Sequence, residues 1–335
     1  MSRGVEFGVL VHTRHLIRDD GLAPSFETMW EEVALAEKLG MDHVWVGDSV
    51  TVLDRARGDC LALMASIAMK TNRVKVGTVP LLPAMRSPVL LAHTLATLDV
   101  ISQGRILIGA SVAPSLPYIQ RQFEACGVPY AEKAGRLSES IEIMKRLWME
   151  KTVNFEGNYH KLQDVGILPH PIQQPSIPVW VTADRSENAF KRVARLADGW
   201  FTSGSRPVEK FAINRSKIHA YAETYGRRNW DLPSGIYATF NLNTNREKAM
   251  EEGWKWAVDF FRQPKANLDH LFTIFGTPDD CVRLLQSYID AGLTAVVARL
   301  ASSDVERQMR LLIEEVKPRL RPRAVYSALG RKAER

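Results

Sequence analysis

Short apolar runs alternate with longer amphipathic stretches along most of the chain. Runs with strand character lie at 5–11 (VEFGVLV), 43–46 (HVWV), 73–79 (RVKVGTV), 106–110 (ILIGA), 178–181 (PVWV), 200–202, 236–242 and 294–298 (TAVVA). Helical periodicity occupies 25–39, 59–69, 88–101, a long stretch up to Trp148, then 186–196, 207–225, 245–261, 278–291 and 304–320. Ser25 reads as an N-cap, and Gly40, Gly226 and Gly292 follow helix ends, as helix stop signals do. Eight strands, each followed by helix, predict one TIM-type (β/α)8 barrel. Continuous apolar strands suit a parallel sheet buried on both faces. The alternative, an open doubly wound sheet, would use fewer strands, and no GxGxxG follows the first run.

One segment breaks the rhythm. Residues 151–178 carry Pro169, Pro171, Pro175 and Pro178, and a hairpin-like piece at 154–162 around Gly157-Asn158. The alternation resumes beyond it, so it reads as an insertion after the fourth βα unit and not as a linker. Residues 1–320 are thus expected to form a single barrel, with 321–335 a basic C-terminal tail.

Composition narrows the class. Of 335 residues, 45% are hydrophobic and 24% charged, enough apolar surface to exclude disorder as the main state. The longest apolar runs are too short to cross a bilayer, and the first six residues lack the apolar core of a secretory signal. The expectation is a cytoplasmic protein with no membrane partner. Net charge is 44 − 38 = +6, part of it from Lys317, Arg319, Arg321, Arg323, Arg331, Lys332 and Arg335. Without zinc-finger spacing or an aromatic RNA-binding signature this reads as a solvated end, not a nucleic-acid site. Cys60, Cys126 and Cys281 form no CxxC, so neither a metal site nor a disulfide framework is expected.

In (β/α)8 barrels chemistry sits at the C-terminal ends of the strands. Those ends offer His12, Thr13 and Arg14; Gly47, Asp48 and Ser49; Thr78, Val79 and Pro80; Ser111 and Val112; Thr182, Ala183, Asp184, Arg185 and Ser186; Thr202 and Ser203; Asn241 and Asn243; and Arg299. No HExxH, GxSxG or GxxxxGK[ST] is present. A metal at His12-x-x-His15 is not expected. Asp48 ends an apolar strand, where a charge needs a partner; it either orients a ligand atom or caps a turn. His12 is a general acid or base by type, or a loop histidine without a role. Thr182–Ser186 could clamp a phosphate, with Ser186 as N-cap and Arg185 adding charge, or simply cap a helix. Arg73 and Arg105 fall at strand N-terminal ends, the stability face. Trp254, Trp256, Phe260 and Phe261 read first as core packing and second as a subunit interface.

Several stretches together resemble the bacterial luciferase-like monooxygenase superfamily: LAEKLGMDHVWVGDS at 35–49, NRVKVGTVPLLPAMRSPVLLAHTLATLDVISQGRILIGAS at 72–111, GRLSESIEIMKRLW at 135–148, VNFEGNYHKL at 153–162, PSIPVWVTADRSENAFKRVARLADGWF at 175–201 and GTPDDCVRLLQSYIDAGLTAVV at 276–297. The TLDxxSxGR element ending at Arg105 and ADGW at 197–200 are specific in combination. The resemblance implies a TIM-like barrel with an insertion, and reduced flavin mononucleotide or a deazaflavin (coenzyme F-420) at the strand C-terminal ends. It implies that Thr78, Val79 and Pro80 back the ring, often through a non-proline cis bond in relatives. Thr182–Ser186 would hold the cofactor phosphate. The chain departs from the pattern in two places. Luciferases carry acidic-His text after the second strand and many deazaflavin enzymes carry Asp-His, but this chain has Asp48-Ser49. After the fourth strand, Gly109-Ala110-Ser111-Val112-Ala113 brings no acid before Glu124.

The resulting expectation is a monooxygenase using reduced FMN from a separate flavin reductase and O2 on a small organic substrate. His12, Asp48 and Ser49 are its catalytic candidates, and Thr78, Val79, Pro80, Ser111 and Thr182–Ser186 its cofactor-binding set. Deazaflavin hydride transfer is the alternative, and a non-catalytic flavin-binding protein the third reading. Loops 49–59, 112–120 and 262–275 are expected to shape the pocket, and the chain to form a homodimer.

Overall fold

A computed structural model of the chain describes residues 4–13, 26–50, 58–204, 206–228 and 230–323. Arg14, His15, Ser25 and residues 324–335 of the basic tail lie outside them. The elements run β1 (Glu6–Leu10), α1 (Glu27–Lys38), β2 (His43–Val46), α2 (Cys60–Lys70), β3 (Lys75–Leu81), α3 (Pro88–Ile101), β4 (Ile106–Ala110), α4 (Pro117–Ala125) and α5 (Lys133–Met149). Then come β5 (Val153–Glu156), β6 (Lys161–Val165), β7 (Val179–Thr182), α6 (Glu187–Leu196), β8 (Gly199–Thr202), α7 (Val208–Thr224) and β9 (Ser234–Leu242). The chain closes with α8 (Arg246–Phe261), β10 (Thr273–Gly276), α9 (Pro278–Asp290), β11 (Ala295–Leu300) and α10 (Val305–Arg310).

Strands β1, β2, β3, β4, β7, β8, β9 and β11 pair in parallel, and β11 pairs back onto β1 to close an eight-stranded ring. All eight expected strands are its members. The excursion at 151–178 holds the antiparallel hairpin β5–β6, tied to α5 by Glu139, whose carboxylate accepts from the backbone N–H groups of Asn158, Tyr159 and His160.

The ring is modified at one place. Strand β9 is nine residues long. Its edge facing away from β11 pairs with β8 over Ser234–Ile236 and then with β10 over Thr239–Leu242. The segment 262–275, expected as loop, therefore ends in a strand.

Along the ring, side chains alternate as the pleat requires. Val9, Val44, Val46, Val76, Ile108 and Val181 face the helices in the main core. Leu10, Trp45, Val79, Phe201 and Val297 fill the barrel, with Leu107, Trp180 and Tyr237 against them. Glycines make room for these rings: a Cβ on Gly77 would lie 2.4 Å from Trp45, and one on Gly199 2.5 Å from Trp180.

His43 also lies inside, 1% exposed, in the space Gly8 leaves. Trp45 Nε1 donates to its Nδ1 at 2.6 Å. Burial pushes its pKa down to about 3. The unfolded chain binds this proton near pH 6.5 and the folded chain refuses it, so the stabilisation is full above about 6.5 and is lost as pH falls toward 3. One pKa unit is about 1.4 kcal/mol, so His43 alone removes on the order of 2–3 kcal/mol between neutrality and pH 4.5. His43→Gln keeps an acceptor for Trp45, and denaturant titrations at the two pH values should show it losing that much less than the native chain. Equal losses would remove His43 as the cause.

The N-terminal ends of the strands are tied by two parallel devices. Asp42 accepts from Phe7 N–H at 2.8 Å and pairs with Lys317 at 2.7 Å. Asp198, of the ADGW text, accepts from Val179 N–H at 2.8 Å and pairs with Lys145 at 2.7 Å. On the same face all five N–H groups of Arg105 are engaged: by Ser102 O, by the hydroxyl and carbonyl oxygens of Thr71, and by the carbonyls of Ala68 and Val74, at 2.7–2.9 Å. Buried Asp99 accepts two bonds from Gln173, which docks the proline-rich segment.

Candidate active site

The C-terminal ends of the barrel strands present two unlike halves. The first is built on β3, β4, β7 and β8 and offers hydroxyls and backbone. Thr182 Oγ1 donates to Ser111 Oγ at 2.9 Å, and Ala113 N–H donates to the same oxygen at 3.1 Å. Ser111 Oγ thus accepts twice, which leaves its own O–H to donate elsewhere. Ala113 has φ 68°, the left-handed region that a tight turn out of β4 demands.

Beyond Thr182, Asp184 does not face outward as a ligand group. Its carboxylate accepts from Thr202 Oγ1 and from the N–H groups of Ser203 at 3.2 Å and Gly204 at 3.0 Å. It fastens the loop after β8 to the loop after β7. Trp200, from ADGW, donates its indole N–H to Ala183 O at 2.8 Å and pins the same turn from below. Arg185 and Ser186 are exposed, and Ser186 precedes α6 without capping it through its side chain. The first N–H groups of that ten-residue helix and the Arg185 guanidinium remain available to an anion.

Asp48, expected to touch a ligand, has another role. It follows Val44 and Val46 on the outward face of β2, and its side chain is 1% exposed. Arg86 grips it with both terminal nitrogens, at 2.6 and 2.8 Å, and Leu82 N–H donates to it at 3.0 Å. A carboxylate with this bidentate partner joins the ends of β2 and β3 and is not offered to substrate.

Thr78 likewise faces outward: it is fully buried, and its Oγ1 has no hydrogen-bond partner among the described residues. Val79 belongs to the barrel core. Only Pro80 of this trio is partly exposed. The cis bond here is Val79–Pro80, an ordinary X-Pro bond, where the resemblance implied a non-proline one.

Ser49 Oγ donates to Gln122 Oε1 at 3.2 Å, and Val50 N–H donates to the same atom at 3.0 Å. Gln122, buried on α4, therefore orders the start of the 49–59 loop. Sequence reasoning passed over it because a glutamine in an amphipathic helix reads as surface.

The second half is built on β1, β9 and β11. Inside the barrel Arg299 donates to Tyr237 Oη and to Thr239 Oγ1 at 3.4 Å. Its guanidinium lies 5.0 Å from the Phe261 ring and 5.8 Å from the Phe260 ring. His12, whose side chain is 9% exposed, sits 5.3 Å from Trp256 and 6.1 Å from Phe260, ring centre to ring centre. Trp256 and Phe260 stack at 4.3 Å. These aromatics belong to α8, and Phe260 meets both His12 at the end of β1 and Arg299 on β11. Helix α8 therefore walls the mouth while its aromatics also pack as the sequence suggests, Trp254, Trp256 and Phe261 against the buried cluster of Ala257, Leu268 and Leu271.

Burial pushes the Cys60 and Cys281 thiols up, so neither is a nucleophile at neutral pH. Among the described residues no group of His, Cys, Asp or Glu could hold a metal ion, and no helix is long and apolar enough to cross a membrane.

Comparison with known proteins agrees with this architecture. The family model described as luciferase-like monooxygenase matches residues 5–270. The F420-dependent glucose-6-phosphate dehydrogenase of Amycolatopsis mediterranei is 29% identical over 318 residues, covering 87% of this chain and 93% of that protein. Its namesake from Rhodococcus erythropolis is 27% identical with the same coverage. Among solved structures, monooxygenase RslO1 from Streptomyces bottropensis superposes with a TM-score of 0.78 at 24% identity, over 93% of this chain and 99% of that one. Coenzyme F420 dependent tetrahydromethanopterin reductase from Methanopyrus kandleri gives 0.77 at 22%, over 95% and 100%.

Proposed function

Because the chain belongs to the luciferase-like monooxygenase family and is an enzyme, we propose that it is an oxidoreductase that moves a hydride between a deazaflavin (coenzyme F-420) and a small hydroxyl-bearing substrate. The observation that carries this reading is the near-full-length likeness to F420-dependent dehydrogenases. It reverses the order expected from sequence, where oxygenation with reduced FMN came first.

The residues present fit such a cofactor. Ser111, with its donor uncommitted, and Pro80 would meet the ring. Thr182, the backbone of Ala183, Arg185, Ser186 and the first turn of α6 would hold a phosphate. When bound, the deazaflavin supplies two-electron hydride chemistry. The chain's own contribution is to bind it, to place substrate against it between Ser111 and the α8 wall, and to keep water out with Trp256 and Phe260.

Anaerobic titration tests the reading. Micromolar binding of coenzyme F-420, and no flavin peroxide absorbance when O2 meets protein mixed with reduced FMN, is expected. Binding of reduced FMN alone, followed by that absorbance, would restore the oxygenase reading. Arg185→Ala should weaken F-420 binding about tenfold, the scale of one charge-assisted contact.

The chain is also proposed to pair with a second copy across α3. Leu90, Val100 and Ile101 of that helix are exposed, as are Leu168 and Ile172 beside it; His93 of α3 bonds the Leu168 carbonyl, and Asp99 holds Gln173, the residue after Ile172. An apolar strip of this kind marks an interface. Sedimentation should give twice 37.7 kDa, and Leu90→Asp should give the monomer; native protein sedimenting as a monomer would reject the pairing.

A further inference from the structure

Resting on the deazaflavin reading, we infer that His12 is the base that accepts the substrate's hydroxyl proton, and that Glu32 of α1 is the positioning residue that turns it to the task. The chain carries Ser49 where many deazaflavin enzymes of the resemblance carry a histidine, so the proton needs another acceptor.

Glu32 straddles His12. One carboxylate oxygen lies 3.8 Å from Nδ1, and the other accepts from the His12 backbone N–H at 3.4 Å. The opposite ring atom, Nε2, is buried and has no hydrogen-bond partner among the described residues. A buried polar atom left without a partner is costly unless something else is meant to meet it. Trp256 and Phe260 hold the ring from the α8 side. A carboxylate facing Nδ1 favours the tautomer with its proton there, which leaves the lone pair on Nε2. The 3.8 Å reach is longer than a hydrogen bond, as catalytic contacts often are before substrate closes them.

The step balances. The substrate O–H proton passes to Nε2, the carbon's C–H bond leaves as hydride to the oxidised deazaflavin, and the two electrons of the O–H bond become the second bond of a carbonyl. The alcohol is oxidised by two electrons and the cofactor reduced by two. Protonated His12 then returns its proton to water, with Glu32 stabilising the imidazolium in between.

The test begins with the cofactor-free protein. Long-range 15N correlation of histidine-labelled chain, with His12 assigned through its own backbone, should show a proton on Nδ1 and none on Nε2. Glu32→Gln should erase that preference, which a merely structural glutamate would not do. A proton on Nε2 in the native chain overturns the dyad. With F-420 bound, His12→Asn should slow single-turnover hydride transfer by about 10²–10⁴-fold and Glu32→Gln by about tenfold, with the dissociation constant for F-420 changed less than about twofold. Failure to bind F-420 overturns the cofactor reading and the base role with it. Full-rate transfer in His12→Asn with F-420 bound overturns the base alone.

Discussion

Replacing Arg105 by lysine is expected to lower the unfolding free energy by about 3 kcal/mol although the charge is retained. Arg105 uses all five of its N–H groups, four of them on the backbone carbonyl or hydroxyl oxygens that end α2 and lead into β3, the fifth on Ser102. A lysine has three donors on one atom and cannot span these acceptors. Bonds from a charged donor are worth about 1.5–3 kcal/mol each, offset where water reaches the vacated carbonyls. The melting temperature should fall by about 4 °C. If charge alone matters at this position, the lysine variant will melt with the native protein. Cofactor affinity should hardly move, because this clamp sits on the face opposite the mouth.

At Asp48 the same experiment separates a structural role from a catalytic one. Asp48→Asn should cost about 3 kcal/mol, since it strips the carboxylate from Arg86 and leaves a largely buried guanidinium with the Leu82 carbonyl at 3.4 Å and, as its one carboxylate among the described residues, Asp59 at 3.8 Å. Adding Arg86→Met to it should restore part of the loss, because no uncompensated charge then remains. A group that touched substrate would behave in the opposite way, with native stability and lost turnover. The two outcomes are read from one denaturation curve and one rate.

The ring itself was legible because each barrel strand is a run of residues buried on both sides, and the eight runs needed no knowledge of partners. Period-two parity held more than was taken from it. Asp48 follows Val44 and Val46 at even spacing, and that pattern alone puts it on the helix-facing side. Strand β10 escaped notice because Thr273–Gly276 is four residues long and pairs with β9 on one edge only. The α8 aromatics showed an amphipathic helix, but periodicity does not say which surface a helix covers. Glu32 and His12 are 20 residues apart on different elements, so nothing local joins them. Arg105 falls on the stability face as the sequence implies; its five acceptors come from the ends of α2 and α3 and from the lead into β3, and are visible only in three dimensions.

The exchange of partners along β9 has a consequence for how such an enzyme changes its taste. The chain leaves β9 at Leu242, builds α8 and the wall over His12 and Arg299, and returns as β10 onto the same strand it left. Departure and return are both anchored to β9, and the ring closes through β8 and β11 without this segment. Residues 243–272 therefore behave as an exchangeable cassette. Lengthening, trimming or grafting it costs little in loop closure, leaves the hydroxyls of Ser111 and Thr182 at the ends of β4 and β7 untouched, and redraws the α8 wall alone.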